Sequence, residues 1–254
     1  MDKNEILGQL VGMSRFLGAS KMDCTILGEG NTSAKINDKT FFIKASGTTL
    51  GSITSEGFVE IDHEKALEIL KYNHLTDDEI TKLFMAAKVD KNDLRRPSIE
   101  VGFHAALLSF EGVNFIGHTH PTAINSILCS RNWRKALKGR LFPDEIVSCG
   151  IETVLVPYIE PGPPLAKAIR KGVEEYIARN GFLPKSIMLQ NHGLIVLGTT
   201  SKQVESTTIM SVKAARILSG TYHFGGPNFL KAEQVDRIYT RPDEKYREKK
   251  FEGK

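Results

Sequence analysis

"KSIMLQNHGLIVLG", residues 185–198, decides the fold class. Two apolar runs of strand length flank Asn191-His192-Gly193. So short a connection makes a hairpin, with a glycine at the turn and a histidine at the tip. Gly193 permits either a tight turn or a close backbone approach. The sheet therefore contains an antiparallel pair, and the rest of the chain has to cover it.

Outward from the hairpin, "ETVLVPY" reads as a strand. After "EPGPP" comes the helix "LAKAIRKGVEEYIARN", stopped by Gly181. Downstream, "SKQVESTTIMSVKAARILSG" is a long helix with Ser201 as its cap and Gly220 as its stop. Upstream, "VNFIGH" is a buried strand by its apolar run, and "TAINSILCS" returns to helical character. Ser98 follows Pro97 and caps a helix expected from Ile99 to about Phe110. Near the start, Ile6, Leu7, Leu10, Val11 and Leu17 recur at helical spacing behind Asp2. "AKINDKTFFIKAS" is a second hairpin turned at Asn37-Asp38, and "GFVEID" is a further short strand. Asp62 caps "HEKALEIL", and Thr76 with Glu79 forms a capping box for "DDEITKLFMAAK". The product is an α/β fold: a mixed sheet with helices on its faces and several tight turns at one edge. No Gly/Ser/Pro-rich linker divides the chain, so residues 1–254 read as one domain with a polar, mobile tail from Lys245.

Composition excludes several classes. The chain is 41% hydrophobic and 25% charged, ordinary for a soluble globular protein. Its net charge of +4 tolerates a small anion, but no Lys/Arg block is interleaved with aromatics as a nucleic-acid groove favours. No apolar run reaches the roughly 18 residues of a membrane span, and "MDKNEILGQLVGMS" lacks the apolar core of a signal peptide. Cys24, Cys129 and Cys149 form no C-x-x-C, and each reads as a small buried apolar residue. A reducing cytoplasm is the expected setting.

Chemistry concentrates first in "GHTHPTA", residues 117–123. Strand side chains alternate, so His118 and His120 point the same way and can present two imidazoles to one ion. The plainer alternative is two histidines on the solvated face of a strand end. His192 at the hairpin tip is the strongest third ligand, against the alternative of an exposed turn histidine. Glu100 and His104 lie at i and i+4 on one helix face. Glu100 is a metal-side carboxylate or an ordinary first-turn glutamate favoured by the helix dipole. His104 reads as core or as a residue behind the site before it reads as a fourth ligand. Three imidazoles with one open position suit catalytic zinc or a similar divalent ion. His63, His74 and His223 read as surface.

Two small-residue turns complete the inventory. "LGEGNTSAK" carries Gly28, Gly30, Asn31, Thr32 and Ser33, and "KASGTTLG" carries Lys44, Ser46, Gly47, Thr48 and Thr49. Glycine lets backbone N–H groups approach an anion, and hydroxyls add donors. "GEGNTS" is not a dinucleotide fingerprint, because Ser33 replaces the third glycine and a strand follows; no Walker G-K-S/T occurs. Each turn alone is ordinary. Together with Ser98, beside a metal candidate, they outline an anion cradle. Lys44 has the chemistry for an imine, although a surface or phosphate role is favoured.

"GEGNTS", "KASGT", "RPSIEVGFHAALL", "GHTHPTA" and "QNHGLIVLG", in that order, resemble the class II aldolase/adducin family of the fuculose- and rhamnulose-phosphate aldolase type. The resemblance covers most of the chain. In detail it looks most like the aldolase portion of the long rhamnulose-phosphate aldolase/dehydrogenase proteins. The resemblance implies a three-layer α/β/α fold with a mixed, largely antiparallel central sheet. It implies zinc on His118, His120 and His192, with Glu100 as acid/base beside the ion and His104 outside the ligand set. Asn31, Ser46, Gly47 and Ser98 match phosphate and substrate contacts. It also implies a homotetramer with active sites at subunit boundaries, acting on a small-molecule sugar phosphate, with neither nucleic acid nor membrane as partner.

The implied reaction is reversible cleavage of a ketose 1-phosphate to dihydroxyacetone phosphate and an aldehyde. Glu100 would carry the proton, its pKa raised by a poorly solvated site. The chain departs from the family at Ser98-Ile99, where many members have two serines. The family's tyrosine from a neighbouring subunit has no clear match; Tyr158, Tyr222 and Tyr239 are the candidates. Rival readings are a sugar-phosphate 4-epimerase, which usually carries Asp at the position of Glu100, and an oxo-acid phosphate decarboxylase. A non-catalytic adducin-like module would be expected to lose the histidines. An unrelated metal-dependent hydrolase would need a dedicated base besides Glu100.

Overall fold

The computed structural model describes residues 2–244 and Tyr246, so the tail expected from Lys245 otherwise lies outside the described residues. Helix α1 (Lys3–Leu17) begins where Asp2 accepts a hydrogen bond from the Glu5 N–H. Strands β1 (Asn31–Lys35), β2 (Thr40–Lys44) and β3 (Phe58–Asp62) form an antiparallel meander. Helices α2 (His63–Leu67) and α3 (Asp77–Ala87) follow, capped by Asp62 and by the Thr76/Glu79 box. Helix α4 (Val101–Leu108) leads into β4 (Phe115–Thr119) and then α5 (Thr122–Leu128). Next come α6 (Trp133–Ala136), α7 (Pro143–Cys149) and β5 (Val154–Val156). Helix α8 (Pro163–Asn180) ends at Gly181, which takes a left-handed conformation. Strands β6 (Ser186–Leu189) and β7 (Gly193–Gly198) precede α9 (Ser201–Thr221) and α10 (Ala232–Thr240).

Among the described residues the strands make one seven-stranded sheet in the order β3-β2-β1-β4-β7-β6-β5. Only β5–β6 is parallel. Consecutive strand residues go to opposite cores, as the two-residue period demands. Phe41, Ile116, Ile187 and Ile195 pack with Val101, Phe103, Leu107 and Ile169 under α4 and α8. Phe42, Phe115, Met188 and Val196 pack with Leu10, Met13, Ile124 and Val204 under α1, α5 and α9. Each such burial contributes about 1.5–3 kcal/mol. Both sheet faces are thus covered, giving three layers. No helix of the described residues is long and apolar enough to cross a membrane.

Several local expectations change. Helix α4 starts at Val101 rather than Ile99, with Glu100 as the N-cap residue and no side-chain cap bond. Helix α9 is capped by Thr200, which accepts from the Gln203 N–H, and it runs past Gly220. The 190–193 turn is made by Asn191, which carries the positive φ of 55°. The short α6 and α7 and the amphipathic α10 had no sequence reading. His63 is buried, with Nε2 2.7 Å from the Ala105 carbonyl, and is not a surface residue. Cys24 and Cys149 are buried as expected, whereas Cys129 is exposed.

Candidate metal centre and anion cradle

Strand pairing assembles the histidines. Register places Asn31 opposite His118 on β1–β4, and Thr119 opposite Leu194 on β4–β7. His118 and His120 share a face by alternation, and the β6–β7 turn delivers His192 beside them. Nε2 of His118 lies 3.0 Å from Nε2 of His120 and 3.3 Å from Nε2 of His192. Glu100, at the start of α4, closes the group: its Oε2 is 3.4 Å from His118 Nε2 and its Oε1 is 3.2 Å from His192 Nε2.

Protonation follows from neighbours. The Nδ1 atom of His118 is 3.0 Å from the Leu194 carbonyl, which can only accept, so Nδ1 carries the hydrogen. The ring is fully buried, and burial lowers its pKa. The neutral ring therefore aims a bare Nε2 lone pair at two further ring nitrogens and a carboxylate. A cation satisfies such a convergence of lone pairs. Ligands about 2.0 Å from a tetrahedral ion stand about 3.3 Å apart; His118 Nε2 lies 3.0 and 3.3 Å from the other two ring nitrogens, and the three donor atoms lie within 4.8 Å of one another. The residues present thus fit a zinc-like ion, with the three histidines as a ready ligand group.

The other titrations agree. Burial pushes His120 down to about 4. Its Nδ1 lies 3.9 Å from Glu29 Oε1, beyond hydrogen-bond reach. Burial alone would raise the Glu100 pKa. Positive charge at the His118–His192 site and a hydrogen bond from Asn31 lower it, and with that charge in place the carboxyl is held well below the usual carboxylate range. The expected upward shift is thus reversed, because the buried carboxylate is surrounded by partners for its charged form.

His104 stays outside the cluster. It is fully buried, bonded to Ser33 Oγ at 2.7 Å and to Asn31 Oδ1, and stacked on Phe103. Asn31 Nδ2 donates to Glu100 Oε2 at 2.6 Å and to Ser98 Oγ at 3.2 Å. Ser98 Oγ also accepts from the Glu100 N–H. Ser46 and Gly47 lie exposed just past β2, next to Lys44. Lys44 itself is 3% exposed, which corrects the surface reading. Its ammonium donates to the Gly28 carbonyl at 3.1 Å. Burial lowers its pKa, and the nearby Glu100 opposes that shift. Asn31 and Ser98 are thus brought to Glu100, while no contact joins Ser46 or Gly47 to the cluster among the described residues.

Beside His120 an open cavity of ≈ 330 Å³ is lined by Asp23, Glu29, Thr122, Asn125 and Cys129, among others. Of the three tyrosines, Tyr158 and Tyr222 are exposed and Tyr239 stacks on Phe182. The arrangement can therefore bind a divalent ion and hold an ionised carboxylate beside it. The Asn31 amide donates to that carboxylate and to Ser98 Oγ.

Known proteins resemble the chain over most of its length. Residues 9–219 match the Class II Aldolase and Adducin N-terminal domain. The chain is 30% identical over 215 residues to the uncharacterized oxidoreductase YuxG of Bacillus subtilis, covering 82% of this chain but only 28% of that protein. It is 25% identical to methylthioribulose-1-phosphate dehydratase of Pectobacterium atrosepticum, covering 80% of this chain and 88% of that one. The solved N-terminal class II aldolase domain of a conserved Thermoplasma acidophilum protein is 29% identical. It superposes with a TM-score of 0.66 over 83% of this chain and 92% of that one.

Proposed function

The chain belongs to the class II aldolase and adducin family, and from that premise we propose that it is a zinc-dependent aldolase. The reaction is reversible cleavage of a ketose 1-phosphate to dihydroxyacetone phosphate and an aldehyde. The observation that carries the metal is the bare Nε2 of His118, ringed by His120, His192 and Glu100. Zinc or a similar divalent ion held by His118, His120 and His192 supplies Lewis-acid stabilisation of the negative charge that develops on the substrate oxygens.

The remaining work falls to side chains. Glu100 is ionised and can take a proton from the carbon next to the carbonyl in the condensation direction. In the cleavage direction it would take up the proton released by the substrate hydroxyl at the breaking bond and pass it to the enediolate carbon. Asn31 holds one carboxylate oxygen, so the proton acceptor stays aimed. Ser98, Ser46 and the Gly47 backbone receive the phosphate and fix the carbonyl at the reacting position. The working unit is a single-domain protomer in a cytoplasmic homotetramer. Exposed Ile209, Ile217 and Phe224 on and after α9 are apolar surface that such an assembly would cover.

The test is elemental analysis of purified protein, followed by a panel of ketose 1-phosphates assayed for dihydroxyacetone phosphate. About one zinc-like ion per chain and release of that product are expected. Loss of water or of carbon dioxide in its place would move the assignment to a dehydratase or a decarboxylase. Epimerisation without cleavage would move it to the 4-epimerase. A protein that takes up no ion would favour an adducin-like interaction module.

A further inference from the structure

We propose that His104 is a positioning residue: it locks the Asn31 amide in the one orientation that presents N–H groups to Glu100. This rests on the reading that Glu100 handles the proton. The argument uses only which atoms can donate. The Asn31 amide turns its nitrogen to Glu100 Oε2 at 2.6 Å and to Ser98 Oγ, which also accepts from the Glu100 N–H, at 3.2 Å. Its oxygen then faces His104 Nε2, which has to carry a hydrogen. His104 Nδ1 is left as an acceptor, and the Ser33 hydroxyl, 2.7 Å away, donates to it. One assignment satisfies every contact: Ser33 to His104, His104 to Asn31, Asn31 to Glu100.

The opposite tautomer breaks the chain at both ends. With hydrogen on Nδ1, a bare Nε2 would face the Asn31 oxygen. Flipping the amide to relieve that clash would set its oxygen against the carboxylate. Nothing else constrains the amide so firmly, since its second N–H goes to Ser98 Oγ, a hydroxyl able to donate or accept. The ring itself is held by its stack on Phe103, at 4.6 Å between centroids. Ser33 and Asn31 lie two apart on one face of β1, and His104 and Glu100 lie four apart at the start of α4, so the relay ties strand to helix. It also commits both N–H groups of the Asn31 amide, to Glu100 and to Ser98, in the free chain.

Two measurements test this. Long-range proton–nitrogen NMR on histidine-labelled protein should show His104 with hydrogen on Nε2 and Nδ1 bare, with or without zinc. Hydrogen on Nδ1 would overturn the proposal. Kinetically, His104→Phe keeps ring volume and the stack but cannot donate. Its kcat should fall about 10- to 100-fold, as for loss of an orienting partner. KM and zinc affinity should stay near wild type, and His104→Gln, whose amide can donate to Asn31, should recover much of the loss.

A phenylalanine variant with wild-type kcat would overturn the proposal, as would a fall of KM and zinc affinity together with kcat. If the phenylalanine variant does not fold, Ser33→Ala leaves the ring in place. Its His104 should keep hydrogen on Nε2, held there by the Asn31 oxygen, and a switch to Nδ1–H would overturn the relay. If the tautomer is as stated but no ketose phosphate is cleaved, the aldolase reading falls and the relay stands. Cleavage by a protein whose His104 carries Nδ1–H gives the reverse.

Discussion

Gly193→Ala tests whether the β6–β7 turn sets the histidine geometry. A Cβ there would lie 2.5 Å from the Thr119 carbonyl oxygen, 2.7 Å from His120 Cδ2 and 3.4 Å from His118 Cε1. The first contact falls short of ordinary van der Waals distance by about 0.9 Å and the second by about 0.7 Å. Thr119 cannot retreat freely, because it is paired with Leu194 in the β4–β7 ladder. The strain therefore divides between strand separation and rotation of the His120 ring. Overpacking of this kind costs about 1–3 kcal/mol. Turning His120 away from its 3.0 Å spacing to His118 should also weaken zinc binding, by about tenfold or more.

Urea unfolding in chelator reads the first effect, and zinc competition against a chromophoric chelator reads the second. Gly181→Ala is the control. Its φ is 77° in open space, so it should cost about 1 kcal/mol and leave zinc affinity alone. A Gly193→Ala protein as stable as wild type, with equal zinc affinity, would refute the reasoning.

His120→Ala should abolish stoichiometric zinc in elemental analysis while the protein still melts cooperatively; retained stoichiometric zinc would count against the cluster as a metal site. The metal-free protein should weaken in acid. His104 and His120 are pushed down to about 3 and about 4 by burial, so below pH ~6.5 the unfolded chain binds protons that the folded chain does not. That stability is present above about pH 6.5 and is lost toward the folded values, by up to ~1.4 kcal/mol per pH unit for each group. A flat urea midpoint from pH 7 to 5 would contradict it. Glu145→Gln would leave the Arg140 guanidinium, 3.2 Å away and buried, without its counter-ion. It should cost about 3 kcal/mol in urea unfolding, and a loss under 1 kcal/mol would show that the Gly150 and Cys149 carbonyls suffice.

The sequence by itself determined what depends on short range. Strand period two put His118 and His120 on one face, whatever the rest of the chain did. Asp2, Asp62 and the Thr76/Glu79 box opened helices α1, α2 and α3 because each cap needs only the next turn. The hairpin at 186–198 and the mixed sheet were legible for the same reason. The tertiary structure alone decided what depends on distant partners. His104 and Asn31 are 73 residues apart, and His118 and His192 are 74 apart. Neither spacing nor composition carries their contact.

Burial was equally non-local. Lys44 and His63 looked like surface residues because polar side chains usually are. Each is buried, with its one polar contact on a carbonyl from another segment, Gly28 or Ala105. Glu100 was readable as a first-turn acid. Its low pKa follows from Asn31, His118 and His192 converging on it, so its charge state belongs to the fold. Local pattern chooses the elements because their hydrogen bonds close within a few residues. The ligand set, the tautomers and the ionisation states are settled only when β1, β4, β7 and α4 meet, because each is a property of neighbours that the chain brings together by packing.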